Sequence, residues 1–378
     1  MYLSTFLNYA IFIYVFRILD SLIVRNIVSF KCALKWTIPW RNIMKAAVVK
    51  RPGVIVVEDM PKPKLENDYE LIVKVHKAAI CRHPDYELWQ GLRSPVKGCW
   101  EPTNYPFILG HEFSGEIVEI GSKVNEIYPD LTIGSRICEW TWCEGFAEYV
   151  KIDAQRIATL ASLPKSISDD EGAVLELAGG STIFFTWATV SPLDRVLILG
   201  CGPAGLCIIQ HAKNFGAEIV VATDLYNNRL KVAKKIGADA VYNASEYDPS
   251  ELGMLIKKEF GEMDLVIDTA GSSKAVFTGI EALKPGGSFY IFAHVSKPVE
   301  IPYFQVATKV SHFGPPTRWP DRIRMRKLMR LAVKWISEGR LDIRSWITHH
   351  FPLNEIEKAL KFNWERPQEC IKVVIDIA

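Results

Sequence analysis

Two groups of residues in this chain combine types and spacing that can do chemistry. The first is Cys81, followed thirty residues later by His111 and Glu112 within Leu109-Gly110-His111-Glu112-Phe113-Ser114-Gly115. A thiolate, an imidazole and a carboxylate on separate loops are what a catalytic zinc requires, with three protein ligands and one position open. The second is Gly200-Cys201-Gly202-Pro203-Ala204-Gly205, which follows the apolar run Val196 to Leu199 and precedes an apolar helical segment reaching Phe215. This is G-x-G-x-x-G between a strand and a helix, and a second apolar run, Ile219 to Thr223, ends on Asp224. Gly200 permits a tight turn, Gly202 lets a pyrophosphate approach the backbone, and the positive end of the helix stabilises its charge. An acid at Asp224 suits the hydroxyls of an adenosine ribose.

The elements that must carry these groups follow from composition and periodicity. At 378 residues the chain predicts two domains. A formal charge of +2 leaves no electrostatic footprint for nucleic acid, and 49% apolar with 23% charged residues describes a globular protein. The eight cysteines are scattered and two fall in the nucleotide turn and its helix, so a reducing, cytoplasmic setting is expected rather than a disulfide framework. Residues 1–43 stand apart. Tyr9 to Phe16 is apolar, but Arg17 and Asp20 interrupt it short of a membrane span, and no cleavage site follows. Three readings stay open: sequence upstream of a start at Met44, a membrane or interfacial anchor, or an additional packing helix.

From Met44, Lys45 to Val49, Val54 to Val57 and Leu71 to Val75 read as an irregular antiparallel β region. A helix is expected from Ser168 to Ala188. Beyond Asp224, strands at 240–242, 264–268 and 288–292 alternate with helices at 228–235 and 274–283, with a turn at Pro285-Gly286-Gly287. That alternation implies a parallel doubly wound sheet with its ligand at the carboxyl ends of the strands.

In this order, Cys81, Gly110-His111-Glu112, Gly145-Phe146-Ala147-Glu148-Tyr149-Val150 and the nucleotide fingerprint resemble the zinc-dependent medium-chain dehydrogenases, closest to the sorbitol, glucose and threonine dehydrogenase branch. The resemblance runs from Met44 to the C-terminus. It implies an α/β protein with a GroES-like β-rich catalytic domain (44–177 and 312–378) and a Rossmann NAD-binding domain (178–311). It makes Cys81 and His111 zinc ligands, Glu112 a ligand or adjacent carboxylate, and Glu176, within Leu175-Glu176-Leu177-Ala178, a further glutamate near the metal. Asp85 would orient an imidazole or brace the ligand loop. Ala293, His294 and Val295 would lie against the nicotinamide. The chemistry implied is reversible oxidation of an alcohol, polyol, sugar or amino-alcohol, zinc acting as the Lewis acid and NAD accepting the hydride. A homodimer or homotetramer is implied as well.

Two departures from the family pattern matter. The family places a Ser or Thr two residues after the ligand cysteine and an Asp next. Here His83 and Pro84 occupy those places and Asp85 comes one step late. Either His83 replaces the hydroxyl as proton acceptor or it is a loop histidine and water carries the proton. Relatives also carry a four-cysteine lobe for a structural zinc. Cys99, Cys138 and Cys143 are one ligand short of it, so one catalytic zinc per chain and no structural zinc is expected, with Cys138, Trp140, Trp142 and Cys143 as core or pocket wall. Trp89 and Trp100 are further candidates for the wall.

Asp224 favours NAD over NADP, because a carboxylate repels a 2′-phosphate. Arg229 complicates this, although the resemblance places a basic residue there in NAD-using relatives too. The basic stretch Arg318 to Arg330 reads as a solvated helix face, and His349 and His350 as structural. The competing functions are a zinc-free NAD(P)H-dependent enone or quinone reductase of the same superfamily, and a non-catalytic nucleotide-binding or membrane-associated protein.

Overall fold

The computed structural model describes residues 42–92, 104–140, 144–157, 159–188, 190–295, 297–315 and 321–377. Residues 45–58 and 63–378 form one compact unit, which holds the candidate site; the other unit comprises residues 1–44 and 59–62. The expectations for the N-terminal extension fall almost entirely on residues 1–41, outside the described residues. Among the described residues no helix is long and apolar enough to cross a membrane.

In chain order, strands β1 (Ile43–Arg51), β2 (Val54–Pro61) and β3 (Glu70–Ala79) lead to helix α1 (Arg82–Gln90). Strands β4 (Phe107–Ile108), β5 (Glu112–Ile120), β6 (Arg136–Trp140), β7 (Tyr149–Asp153) and β8 (Ala161–Ser162) precede helix α2 (Asp169–Phe185). Then β9 (Arg195–Leu199), α3 (Pro203–Asn214), β10 (Ile219–Asp224), α4 (Asn227–Lys235), β11 (Ala240–Asn243), α5 (Pro249–Phe260), β12 (Met263–Asp268), α6 (Ser273–Ala282) and β13 (Leu283–Ile291) alternate. The chain closes with α7 (Tyr303–Lys309), β14 (Val310–Gly314), α8 (Arg322–Ser337), β15 (Ile347–Pro352), α9 (Ile356–Glu365) and β16 (Lys372–Asp376).

Among the described residues the strands form three sheets. A six-stranded sheet runs β11-β10-β9-β12-β13-β14 with every pairing parallel, the doubly wound order in which the first strand lies at the topological switch point. Its central strand β9 buries Val196, Ile198 and Leu199 completely, as a strand covered on both faces must. Helix α3 buries Leu206, Ile208, Ile209 and Ala212 against it, each large aliphatic contributing about 1.5–3 kcal/mol. The second sheet, β15-β16-β3-β5-β6-β8 with β7 also on β3, is antiparallel apart from the β15–β16 pair. Strands from both ends of the chain thus share one sheet. A small sheet, β2-β1-β4, accompanies it.

Helix α2 begins with a reciprocal cap, the Ser168 hydroxyl accepting from Glu171 N while the Glu171 carboxylate accepts from Ser168 N. It packs against β3, β5 and β6 on one side and α3 and α8 on the other, so one helix joins the antiparallel sheet to the helix that covers the parallel one.

Two details differ from the reading of the sequence. Pro285-Gly286-Gly287 is not a turn between elements but part of β13, where the register on β14 shifts between Gly287 and Ser288 and Gly286 has φ 78°. The turn residues are absorbed as a strand irregularity. The chain also does not leave the parallel-sheet part at residue 312, because β14, which contains His312, is the sixth strand of that sheet.

Candidate active site

Strand β3 runs out at Ala79, and Ile80 N donates to Val373 O, which delivers Cys81 to the N-terminus of α1. One turn further on lies Asp85, fully buried. Its Oδ2 accepts from Cys81 N at 2.8 Å and its Oδ1 accepts from His111 Nδ1 at 3.0 Å. Asp85 therefore braces the cysteine loop and orients the imidazole at once. Donation from Nδ1 fixes the tautomer that leaves the Nε2 lone pair for a cation. Glu112 opens β5, so the next residue in sequence adds a carboxylate to the same point.

The ligand atoms of Cys81, His111 and Glu112 lie within 4.8 Å of one another. Glu112 Oε1 accepts from Lys372 Nζ at 2.7 Å, whereas Oε2 is buried without a hydrogen-bond partner. Burial pushes the Cys81 thiol up to about 11, with His111 opposing. Burial also disfavours charge on His111, but Asp85 and Cys81 outweigh it and hold the imidazole well above its usual range. A partly buried sulfur beside buried nitrogen and oxygen donors, one carboxylate oxygen of them unpartnered, fits a borderline-soft divalent cation, zinc above others. Glu176, on α2, stands outside the group of three. It is buried, and burial reinforced by the Glu112 charge raises its carboxyl to about 8.

A cleft of about 660 Å³ links this group to the glycine turn, with Cys81, His83 and Lys372 in its wall together with Gly200, Gly202 and Asp224. Gly200 has φ 98°, and Thr269 Oγ1 donates to its carbonyl at 2.9 Å. A Cβ on Gly205 would stand 1.9 Å from Gly200 O, so the helix can approach the turn only with hydrogen there. A Cβ on Gly202 would meet nothing within 4 Å and would project into open space where Pro203 and Ala204 begin α3. An open cradle at a helix N-terminus fits a pyrophosphate.

Asp224 ends β10, accepting from Cys201 N at 2.7 Å and Tyr226 N at 2.9 Å. Arg229 is held internally: Nη2 donates to Cys370 O at 3.2 Å, the guanidinium lies over the Tyr226 ring, and Nη1 is 3.9 Å from Asp224 Oδ2.

His83 and His294 meet across the cleft, their ring centroids 6.1 Å apart. His294 Nε2 donates to Glu87 Oε2 at 2.9 Å, while His83 Nδ1 is 3.6 Å from Glu87 Oε1, too far for a hydrogen bond.

Glu87 and Lys372 are the site residues that the sequence reading missed. Lys372 left a signal: it is the one charged residue in Ile371 to Ile375, a run that otherwise reads as a buried strand. Glu87 left none beyond its place one turn from His83. Trp89 and Cys138 belong to the core. Trp100, Trp142, Cys99 and Cys143 lie outside the described residues, as does the cysteine-lobe question that rests on them. In α8, Arg330 pairs with Asp130 and Arg326 donates to Ile127 O, while Leu328, Met329, Ala332 and Trp335 are buried. The basic stretch is one side of a packed helix.

Comparison with known proteins adds to this geometry. Residues 67–167 match the family model described as alcohol dehydrogenase GroES-like domain, and residues 203–333 match that described as zinc-binding dehydrogenase. The chain is similar to L-threonine 3-dehydrogenase of Bacillus subtilis, 29% identical over 367 residues, covering 87% of this chain and 97% of the relative. It is 30% identical over 328 residues to a probable D-xylulose reductase A of Emericella nidulans, covering 80% and 89%. Among solved structures, 2R,3R-butanediol dehydrogenase from Bacillus subtilis superposes with a TM-score of 0.72 at 22% identity, covering 88% of this chain and 99% of that one.

Proposed function

Because the chain belongs to the zinc-dependent medium-chain dehydrogenase/reductase superfamily and is an oxidoreductase of that kind, we propose that it oxidises a hydroxyl group of a polyol, sugar or amino-alcohol with NAD+ as hydride acceptor. The observation that carries this reading is that Cys81 and the open glycine turn wall the same cleft, with His111 and Glu112 grouped at the Cys81 end. The named substrates of the relatives, threonine, sorbitol and xylulose, all carry hydroxyl groups beside other polar groups.

Cys81, His111 and Glu112 would hold one zinc, and Glu176 stands near enough for the Glu112 charge to act on its carboxyl. Zinc supplies Lewis acidity toward the substrate oxygen. Asp85 keeps His111 in the ligating tautomer, and Lys372 balances the Glu112 carboxylate. Gly200, Gly202, Pro203, Ala204 and Gly205 seat the pyrophosphate, and Asp224 accepts from the ribose hydroxyls while repelling a 2′-phosphate, which favours NAD over NADP. Arg229 is engaged with Cys370 O and Tyr226, which supports the same choice. His83, 42% exposed and with Nδ1 facing the Glu87 carboxylate at 3.6 Å, takes the proton from the cleft toward solvent. The described cysteines are free thiols, in keeping with a reducing compartment.

The test is elemental analysis of the purified full chain together with NAD+-linked oxidation of a panel of polyols, sugars and threonine. One zinc per chain with turnover on a member of the panel is expected. Folded protein without zinc, or zinc-loaded protein inert across the panel, overturns the reading.

A further inference from the structure

Helix α1 is nine residues long and carries three ties. At its N-terminus is Cys81. One turn in, Asp85 holds His111. Glu87 then reaches out of the helix to His294, which follows β13 on the other side of the cleft and whose neighbours Phe292 and Ala293 both donate to Asp268 O. From Cys81 to Glu87 a helix rises only about 9 Å. The thiolate and the Glu87 carboxylate are therefore fixed to one short rigid rod. The sequence separation of Glu87 and His294 is 207 residues, and the carboxylate is almost wholly buried, its side chain 7% exposed.

We propose that Glu87 is a positioning residue, and that its bond to His294 is a latch that sets the distance between the metal-ligand loop and the strand end lining the nicotinamide side of the cleft. The proposal rests on the dehydrogenase reading for its consequence in turnover. Hydride transfer is steep in distance, and a misplacement of about 1 Å can lower a rate by about a hundredfold. A charge-assisted bond between a carboxylate on the ligand-bearing helix and an imidazole on the opposing wall resists that displacement. The carboxylate also stands within 3.6 Å of His83, so loss of the latch frees the His83 wall as well.

The experiment uses the zinc-loaded full chain and the variants Glu87→Ala, Glu87→Gln, His294→Ala and the double variant Glu87→Ala/His294→Ala. Backbone hydrogen exchange is the first readout. Glu87→Ala should speed exchange at 292–295, His294→Ala should speed it along α1, and neither should change α4. Steady-state kinetics are the second. Each alanine variant should lose about tenfold or more in kcat with zinc content unchanged, the double variant should lose no more than the worse single one, and Glu87→Gln, which can still accept from Nε2, should recover most of the loss. Unchanged exchange at the partner segment, strictly additive losses in kcat, or loss of zinc from Glu87→Ala would each overturn the latch. An inactive wild-type chain would defeat the dehydrogenase reading alone, and the exchange data would still decide the latch.

Discussion

Lys372 Nζ stands 2.7 Å from Glu112 Oε1 with 4% and 0% of the two side chains exposed. Burial opposes the charge on this ammonium, but Glu112 above all, with Cys81 and Glu176, outweighs that cost and holds its pKa above the usual lysine value.

Removing one partner from such a pair strands the other. Lys372→Met should therefore destabilise the fold by about 3–5 kcal/mol in urea unfolding. Glu112→Gln added to it should recover much of that loss. A single variant as stable as wild type would show that the carboxylate finds other compensation.

Ligand and brace should separate in degree. Cys81→Ala should leave no zinc by elemental analysis and abolish turnover while NADH still binds, since the glycine turn is untouched. Asp85→Asn should keep the loop but weaken zinc by about 10- to 100-fold in a chelator competition. Normal activity in Cys81→Ala would remove the metal from the mechanism.

Two glycines of the same turn should answer differently to the same methyl group. Gly205→Ala places a Cβ against Gly200 O and should cost about 1–3 kcal/mol of stability. Gly202→Ala meets nothing in the folded chain and should change stability by under about 0.5 kcal/mol. The second variant should nevertheless bind NADH at least about tenfold more weakly in a fluorescence titration, because its methyl group enters the pyrophosphate cradle. Equal NADH affinity in Gly202→Ala would place the coenzyme elsewhere.

His211 supplies a pH prediction. It is buried beside Thr182, Phe185 and Trp335, and burial pulls its imidazole down to about 3 from 6.5. The neutral form is the one that folds, so its contribution is complete above pH 6.5 and is lost as pH falls toward 3. The limiting slope is about 1.4 kcal/mol per pH unit. Stability of wild type between pH 6.5 and 4 should fall more steeply than that of His211→Gln. Parallel curves for the two proteins would show that His211 takes up its proton without unfolding.

The parts legible in the sequence were those whose information is local. Strand, turn, helix and terminal Asp224 follow one another within thirty residues, and the parallel sheet came out in its alternating order. Cys81, His111 and Glu112 were legible as types with suitable spacing, and they do converge. What escaped is held together by distance along the chain. Lys372 meets Glu112 across 260 residues and His294 meets Glu87 across 207. No periodicity encodes such a meeting, although a lysine within the otherwise apolar run 371–375 demands an acid. The boundary set at residue 312 failed for a related reason: β14 carries Ser311 and His312 on a sheet edge, where polar residues are tolerated and the apolar signal weakens.

The order of strands also bears on how the molecule is made. Strands β9 to β14 are contiguous in sequence and close into their sheet without help from either end. The sheet beside Cys81 and His111 is different, since Ala78 and Ala79 of β3 pair with β5 on one side but wait for β16 on the other. On the ribosome, the parallel-sheet part can finish folding while the loops of Cys81 and His111 are still unsupported by the final strand. The buried charge of Glu112 is thus balanced only when the last strand brings Lys372 to it.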